Sequence, residues 1–350
     1  MWYKYRTSIL IGLTFSLLFS TFWFFPSLAF IIFLSLLLNL LLVSSVDRLA
    51  KKLPRVLSAG IILLLFVAVV IGFLAMISQT FIPTFTSFLA DLPNLSTNIH
   101  NLSFIQQSDF AVEQIDALLN ELTTVSISAL RSSLTVVLAL FSRIIEFVII
   151  FFVTFYLLKD GKEIKVYLAG LFPHKDYSRI LALFDRILKA LSIYIFSQLI
   201  ICFITGTIVF LYFTFRNLPY ASVFAVLSGV GEFVPVLGPT IASAFGTVLV
   251  ATQTPWLAFQ TILFYIILTQ VNHNIIYPSL IGKSLNLHPI AIILGIIFGG
   301  EILGPAGMFL AVPCIVIIKI VIEDIYHDRI NNFKIVEKQI ITEKIPPAHN

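Results

Sequence analysis

Apolar residues run along this chain in blocks whose length suits a bilayer rather than a soluble core. A spanning helix needs about 20 mostly apolar residues. Residues 7–25 supply one such block and residues 27–45 a second, with Phe25-Pro26-Ser27 as the turn between them. Further blocks follow at 56–82, 133–158 and 191–215, the last closed by Arg216-Asn217-Leu218-Pro219. Between the third and fourth blocks the pattern changes. Over 83–131 apolar residues recur at helical spacing (Leu89, Leu92, Leu95, Ile99, Leu102; then Ile115, Leu118, Leu119, Leu122) among Ser, Thr, Asn and the acids Asp91, Asp109, Glu113, Asp116 and Glu121. That is an amphipathic pattern, which predicts one or two surface helices outside the hydrocarbon.

From 219 to 322 the apolar runs shorten and are cut by Gly and Pro. Residues 220–230 and 240–252 flank the run Gly231-Glu232-Phe233-Val234-Pro235-Val236-Leu237-Gly238-Pro239. Residues 257–277 form a fuller span that ends in Asn272-His273-Asn274 and Pro278. Residues 289–298 and 308–322 flank Gly299-Gly300-Glu301-Ile302-Leu303-Gly304-Pro305. Each flanking run is read as too short to cross alone, so each pair is either one broken helix or a re-entrant hairpin. The expected fold class is all-α, a polytopic transmembrane helical bundle with two Gly/Pro-broken or re-entrant helices in the C-terminal half.

Charge then orients the bundle. Basic residues cluster at the N-terminus, at 46–55 (Arg48, Lys51, Lys52, Arg55) and at 159–190 (Lys159, Lys162, Lys165, Lys175, Arg179, Arg186, Lys189), whereas 83–131 is acidic. Basic loops stay cytoplasmic, so the N-terminus, the loop 159–190 and the tail from Glu323 are expected inside and 83–131 outside. The organisation read from this is three transmembrane helices in 1–82, an extracytoplasmic amphipathic segment 83–131, a transport core 132–322 with its cytoplasmic loop 159–190, and a cytoplasmic tail 323–350. Lys4 and Arg6 before the first apolar block resemble a secretory signal, with Ser27-Leu28-Ala29 as a cleavage-like site. A signal is short and is followed by polar sequence, while here the apolar pattern resumes at once, so an uncleaved helical hairpin is expected.

Composition narrows the function classes. Of 350 residues, 59% are hydrophobic and 11% charged, and the mean hydropathy is +1.01. Soluble domains carry about 25% charged residues, and no soluble interior could hide this much apolar surface. The bilayer is therefore the first partner. The net charge of +4 is topological: the aromatic residues sit inside apolar runs, so no nucleic-acid surface is expected. Cys202 and Cys314 lie in apolar stretches without ligand partners at useful spacing, so neither a metal nor any other cofactor is expected. No nucleophile elbow, paired-histidine helix or phosphate loop occurs. The expectation is a non-enzyme whose work is driven by a gradient or by a partner.

Broken backbone at membrane depth survives only where protein buries it or water reaches it, and paired Gly/Pro-interrupted segments are the best sequence pointer to a transport site. Each interruption here carries one glutamate. Glu232 could serve as a cation or proton site, as a polar anchor for a solute, or as a cap for the freed N–H groups of the following half-helix. Glu301 could act likewise, or could be solvated near an interface. Pro235, Gly238 and Pro239 would hold the first break open, and Gly304 marks the second. Asn272 and Asn274 would line the pathway or hydrogen-bond neighbouring helices. Arg143 and Glu146, three residues apart, share a helix face as a mutually neutralised pair or a pathway gate.

Four motifs carry a family resemblance. Leu227-Ser228-Gly229-Val230-Gly231-Glu232-Phe233-Val234-Pro235-Val236-Leu237-Gly238-Pro239 resembles the central motif of the autoinducer-2 exporter family. Phe155-Tyr156-Leu157-Leu158-Lys159-Asp160-Gly161 resembles the end of that family's span before a cytoplasmic loop. The set Pro278, Gly282, Leu287, His288 and Pro289 resembles its next motif. Gly299-Gly300, Gly304, Gly307 and Ala311-Val312-Pro313 resemble its C-terminal one. One departure is Ser197-Gln198, where the family usually has Gly-Gln. The resemblance implies about eight membrane segments, a gradient-driven permease of the bacterial inner membrane and a homo-oligomer. Members are associated with export of autoinducer-2, others with sodium–proton exchange. The leading expectation is a secondary transporter exporting a small polar metabolite such as autoinducer-2. A sodium(lithium)/proton antiporter is the alternative, with a monovalent cation and a proton as the transported species, and a non-transport membrane scaffold is the second alternative.

Overall fold

The computed structural model describes residues 2–100, 144–234, 237–251, 253–281 and 287–344, and among these every regular element is a helix. In chain order they are α1 (Trp2–Phe24), α2 (Pro26–Leu49), α3 (Arg55–His100), α4 (Ile144–Gly170), a short 3-10 turn (His174–Asp176), α5 (Tyr177–Phe215), α6 (Ala221–Gly231), α7 (Leu237–Ala251), α8 (Pro255–Val271), a single π-helical turn (Asn272–Ile276), α9 (Tyr277–Ile281), α10 (Pro289–Leu303) and α11 (Pro305–Lys344). Pro26, Pro255 and Pro289 each open a helix at its first turn, where the missing N–H has no intrahelical partner to lose.

Among the described residues, five stretches are long and apolar enough to cross a membrane: Arg6–Phe24, Pro26–Leu49, Arg55–Phe73, His174–Phe215 and Pro305–Ile330. The helices α6, α7 and α10 are apolar but short, at 11, 15 and 15 residues. At 1.5 Å per residue they reach roughly 16–22 Å, against a hydrocarbon core of about 30 Å. Large apolar side chains stand exposed on the long helices, among them Leu17, Phe203 and Phe215. A lipid solvent accepts such side chains at no cost, and the helices satisfy their own backbone groups. This is a polytopic helical membrane bundle.

Three boundaries differ from the sequence reading. The third block does not end at 82, because α3 runs unbroken to His100; the rest of the amphipathic segment, 101–131, lies outside the described residues. The basic stretch 159–190 is not a loop. It is the end of α4, the turn around Pro173 and the first turns of α5. In both places the sequence changes polarity because the solvent changes, while the helical backbone carries on across that change. The run 308–322 is not a half-helix either. It lies within the 40-residue α11, whose first 26 residues suffice to cross, and Pro313 inside it does not end it.

The chain divides into two units. The first comprises residues 1–59, 150–194 and 284–350. Here α1 packs on α2 and on α11, and α10 folds back along α11. The α10–α11 turn is one residue, Gly304, at φ +59, a left-handed conformation natural to glycine. Gly299 and Gly307 then bring the two backbones together: a Cβ on Gly307 would lie 1.8 Å from the Gly299 oxygen. At the polar end of this unit the Arg179 guanidinium grips Asp324 Oδ2 at 2.7 Å and Asp328 Oδ1 at 3.0 Å. Ser8 Oγ donates to Asp328 Oδ2 at 2.6 Å, and the Thr7 hydroxyl donates to Asp176. These bonds clasp the starts of α1 and α5 to α11.

The second unit comprises residues 60–149 and 195–283. Helices α6 and α7 form a hairpin, and α7 packs in turn on α8. A core of Val209, Phe213, Leu218, Phe224, Leu249, Val250, Tyr265 and Leu268 joins the second half of α5 to all three. Ring stacking of Phe213 on Phe224 (centroids 4.9 Å apart) and of Tyr212 on Phe264 (3.8 Å) fixes the faces that meet. At the hairpin turn, Gly231 and Gly238 touch backbone to backbone. Close approach of this kind is what small residues give to helix pairs in lipid.

Candidate functional site

Helix α6 ends at Gly231, the chain turns over Glu232, Phe233 and Val234, and α7 begins at Leu237. The amides of Glu232, Phe233 and Val234 are still satisfied, by the carbonyls of Ser228, Val230 and Gly231. These described amides therefore need no cap from the Glu232 side chain. That side chain is buried, at 4% exposure, and accepts hydrogen bonds from other helices. Asn272 Nδ2 donates to Oε1 at 2.8 Å and Thr205 Oγ1 donates to the same oxygen at 3.2 Å. Asn272 Nδ2 also reaches Thr205 Oγ1 at 2.9 Å, which closes a triangle. The second oxygen, Oε2, has one distant donor among the described residues, the Tyr277 hydroxyl at 3.5 Å. The Glu232 main-chain carbonyl accepts from Gln198 Nε2 at 2.7 Å.

Local structure explains how these groups converge. Gln198 and Thr205 are seven residues apart on α5, two helical turns, and so share one face. Asn272 and Tyr277 are five apart, which on a regular α-helix would point them in different directions. The π-helical turn brings them together, because its bond runs from the Tyr277 N–H to the Asn272 carbonyl. Single π turns of this kind occur frequently at functional sites.

The electrostatics are one-sided. Among the described residues no Lys, Arg or His pairs with Glu232, although a buried carboxylate is costly without compensation. Two further acceptors at the site, Gln198 Oε1 and Asn272 Oδ1, are buried and lack a hydrogen-bond partner. An unmet buried polar group costs about 1–3 kcal/mol, so these open acceptors are a local expense of the fold.

The structure brings together Glu232 and Asn272 from the sequence-derived candidates, with Gly238 packed on Gly231 beneath them. Pro239 sits in the first turn of α7. Pro235 and Arg143 lie outside the described residues. Asn274 is exposed and donates to Gln270 Oε1 on its own helix face. Glu146 is half-buried in the first turn of α4. Glu301 and Gly304 belong to the other unit. Glu301 does not lie in an interruption as expected: α10 continues through it to Leu303, its side chain is exposed, and the break is Gly304 alone. Glycine pairs there marked a close hairpin contact rather than an opened helix.

The sequence reading missed Gln198, Thr205 and Tyr277. The first two leave a readable trace, two polar residues at a spacing of seven on an otherwise apolar span. Tyr277 leaves none, since a π turn has no pattern in composition.

Comparison with known proteins places this arrangement. The model of the AI-2E family transporters matches residues 13–327. A Bacillus subtilis protein, "Putative transport protein YueF", is 30% identical over 315 residues, covering 83% of this chain and 84% of its own length. A second from the same organism, "Putative transport protein YrrI", is 28% identical over 317 residues, 87% of this chain and 88% of its own. The Escherichia coli "AI-2 transport protein TqsA" is 29% identical over 145 residues, 41% of this chain and 42% of its own. With a family match spanning most of its length and a helical membrane bundle around a buried carboxylate, the chain belongs to the AI-2E family of membrane transporters.

Proposed function

We propose that this chain is a gradient-driven exporter of a small polar metabolite such as autoinducer-2, placed in the bacterial inner membrane with both termini cytoplasmic, and that Glu232 and Asn272 make the polar contact with the cargo. The observation that carries this reading is the unbalanced Glu232 site. Among the described residues, one carboxylate oxygen is held by two donors, the other has a single distant one, and two neighbouring amide oxygens stand unpartnered. A hydroxyl-rich solute supplies the donors such a site lacks. The printed name of the Escherichia coli relative supports the choice of autoinducer-2. Self-association, implied by the family resemblance, and a gating role for Arg143 with Glu146 belong to the same proposal. The test is solute retention in cells lacking the protein, complemented with the wild type or with Glu232→Gln. The wild type lowers retention and the variant does not; equal complementation removes Glu232 from the pathway.

A second reading, sodium(lithium)/proton antiport, draws on the absence of a basic partner for Glu232 among the described residues. Acceptor oxygens without a counter-charge also suit a hard monovalent cation or a proton. Its discriminator is the internal pH of reconstituted vesicles on addition of sodium or lithium. A pH change that Glu232→Gln abolishes selects antiport, and no change at any pH rejects it.

A further inference from the structure

We propose that Tyr277 is the movable cover of the Glu232 carboxylate, its ring closing off the oxygen that the fixed hydrogen bonds leave open and swinging aside to let the transported species reach it. This rests on the reading of Glu232 as the transport site and adds the residue that controls access to it.

The two carboxylate oxygens are held unequally. Oε1 is anchored by Asn272 and Thr205, themselves 2% exposed and linked to each other. Among the described residues Oε2 meets only the Tyr277 hydroxyl, at a distance of 3.5 Å that marks a weak bond. Tyr277 is half-buried, and its other side faces outward: His273, exposed, stacks on the ring with centroids 5.4 Å apart and planes within 9°. Exposure thus falls from His273 through Tyr277 to Glu232, and the tyrosine ring is the layer between.

The backbone beneath this layer is built to give. Asn272 closes α8 and is fixed by its bonds to α5 and Glu232. Tyr277 begins the five-residue α9 on the far side of the π turn. The next residue, Pro278, has no N–H to return to the preceding turn. The π turn and the proline directly after Tyr277 both interrupt the regular ladder of backbone bonds at this point, and departures of this kind recur at functional sites. Asn272 and Tyr277 therefore divide the work: the first holds the carboxylate and the second moves.

The test reads access to Glu232 rather than transport. The full-length protein in lipid vesicles is treated with dicyclohexylcarbodiimide, and modification of Glu232 is followed by peptide mass spectrometry, with Glu232→Gln as the unlabelled reference. An open minor state is populated at no more than about 10%, so removing the cover in Tyr277→Ala raises the labelling rate roughly tenfold or more. Tyr277→Phe keeps the ring and labels within about twofold of wild type, while Tyr277→Trp, with a larger ring, labels no faster than wild type. Labelling of Tyr277→Ala at the wild-type rate overturns the proposal, and so does Tyr277→Phe labelling as fast as Tyr277→Ala. If Tyr277→Ala does not fold, faster labelling of Tyr277→Trp than wild type overturns it in its place. The outcome is separable from that of the transport reading. Should Glu232→Gln complement fully while Tyr277→Ala exposes the carboxylate, the cover stands and Glu232 is not the cargo contact.

Discussion

Gly238→Ala tests whether the backbone contact at the hairpin turn sets the geometry of the carboxylate above it. A Cβ built on Gly238 lies 1.8 Å from the Gly231 oxygen and 2.3 Å from its carbonyl carbon, while real Cβ atoms keep beyond 3.0 Å of such neighbours. The obstacle is main chain on both sides, so no side chain can rotate away, and α6 and α7 must part by more than an ångström. Forced overpacking typically costs 1–3 kcal/mol, and a backbone clash of this depth belongs at about 3 kcal/mol. The shift also falls on the residue next to Glu232. A 2.8 Å bond from Asn272 Nδ2 to Oε1, stretched by the same amount, no longer lies within hydrogen-bond distance. Stability and transport should therefore fall together. The assay is thermal denaturation of the detergent-solubilised protein beside solute retention in complemented cells, with two glycines as internal standards. Gly72→Ala meets nothing within 4 Å and, as alanine in a helix, is neutral to slightly stabilising. Gly206→Ala meets a carbonyl oxygen at 3.1 Å and should fall between. A Gly238→Ala protein that melts and transports like Gly72→Ala would refute the reasoning.

The remaining predictions concern the clasp and the carbonyl anchor. Arg179→Ala leaves Asp324 and Asp328 facing one another without their cation. With these side chains only 12–23% exposed, the loss should be about 2 kcal/mol, between an exposed pair and a fully buried one. The melting temperature reports it, and Arg179→Lys recovers only part because the forked geometry is lost. Gln198→Leu leaves the Glu232 main-chain carbonyl without its side-chain donor, at about 1–3 kcal/mol. Retention assays should show weakened transport even where the protein remains folded, and wild-type activity in this variant would mean the turn holds its shape unaided.

Much of the architecture was legible because lipid imposes simple demands. Blocks of apolar length gave α1, α2, the first half of α3 and the spanning part of α5, and the Gly-Pro cluster at 231–239 marked a true hairpin turn. The misreadings share a cause. Polarity was taken to mark the end of a helix at 82, at 159 and after 322, yet α3, α4 and α11 pass through those points, since a helix needs no change of backbone on leaving the hydrocarbon. At the site, Glu232 and Asn272 stood out as polar residues in apolar surroundings. Their union could not be read from spacing, because it depends on which faces of α5, α6 and α8 meet. Tyr277 was hidden for a further reason: the phase of α8 changes within the π turn, and a regular 3.6-residue period places it wrongly.

The distance in sequence between Glu232 and its best donor has a consequence for biosynthesis. Asn272 lies 40 residues downstream. At roughly 5–20 residues per second, the nascent chain carries the acid through two to eight seconds of synthesis before that amide exists. During that interval Thr205, at 3.2 Å, is the side-chain donor already synthesised for Glu232 among the described residues. The final packing of the hairpin around its carboxylate therefore waits until Asn272 on the α8 side has been made.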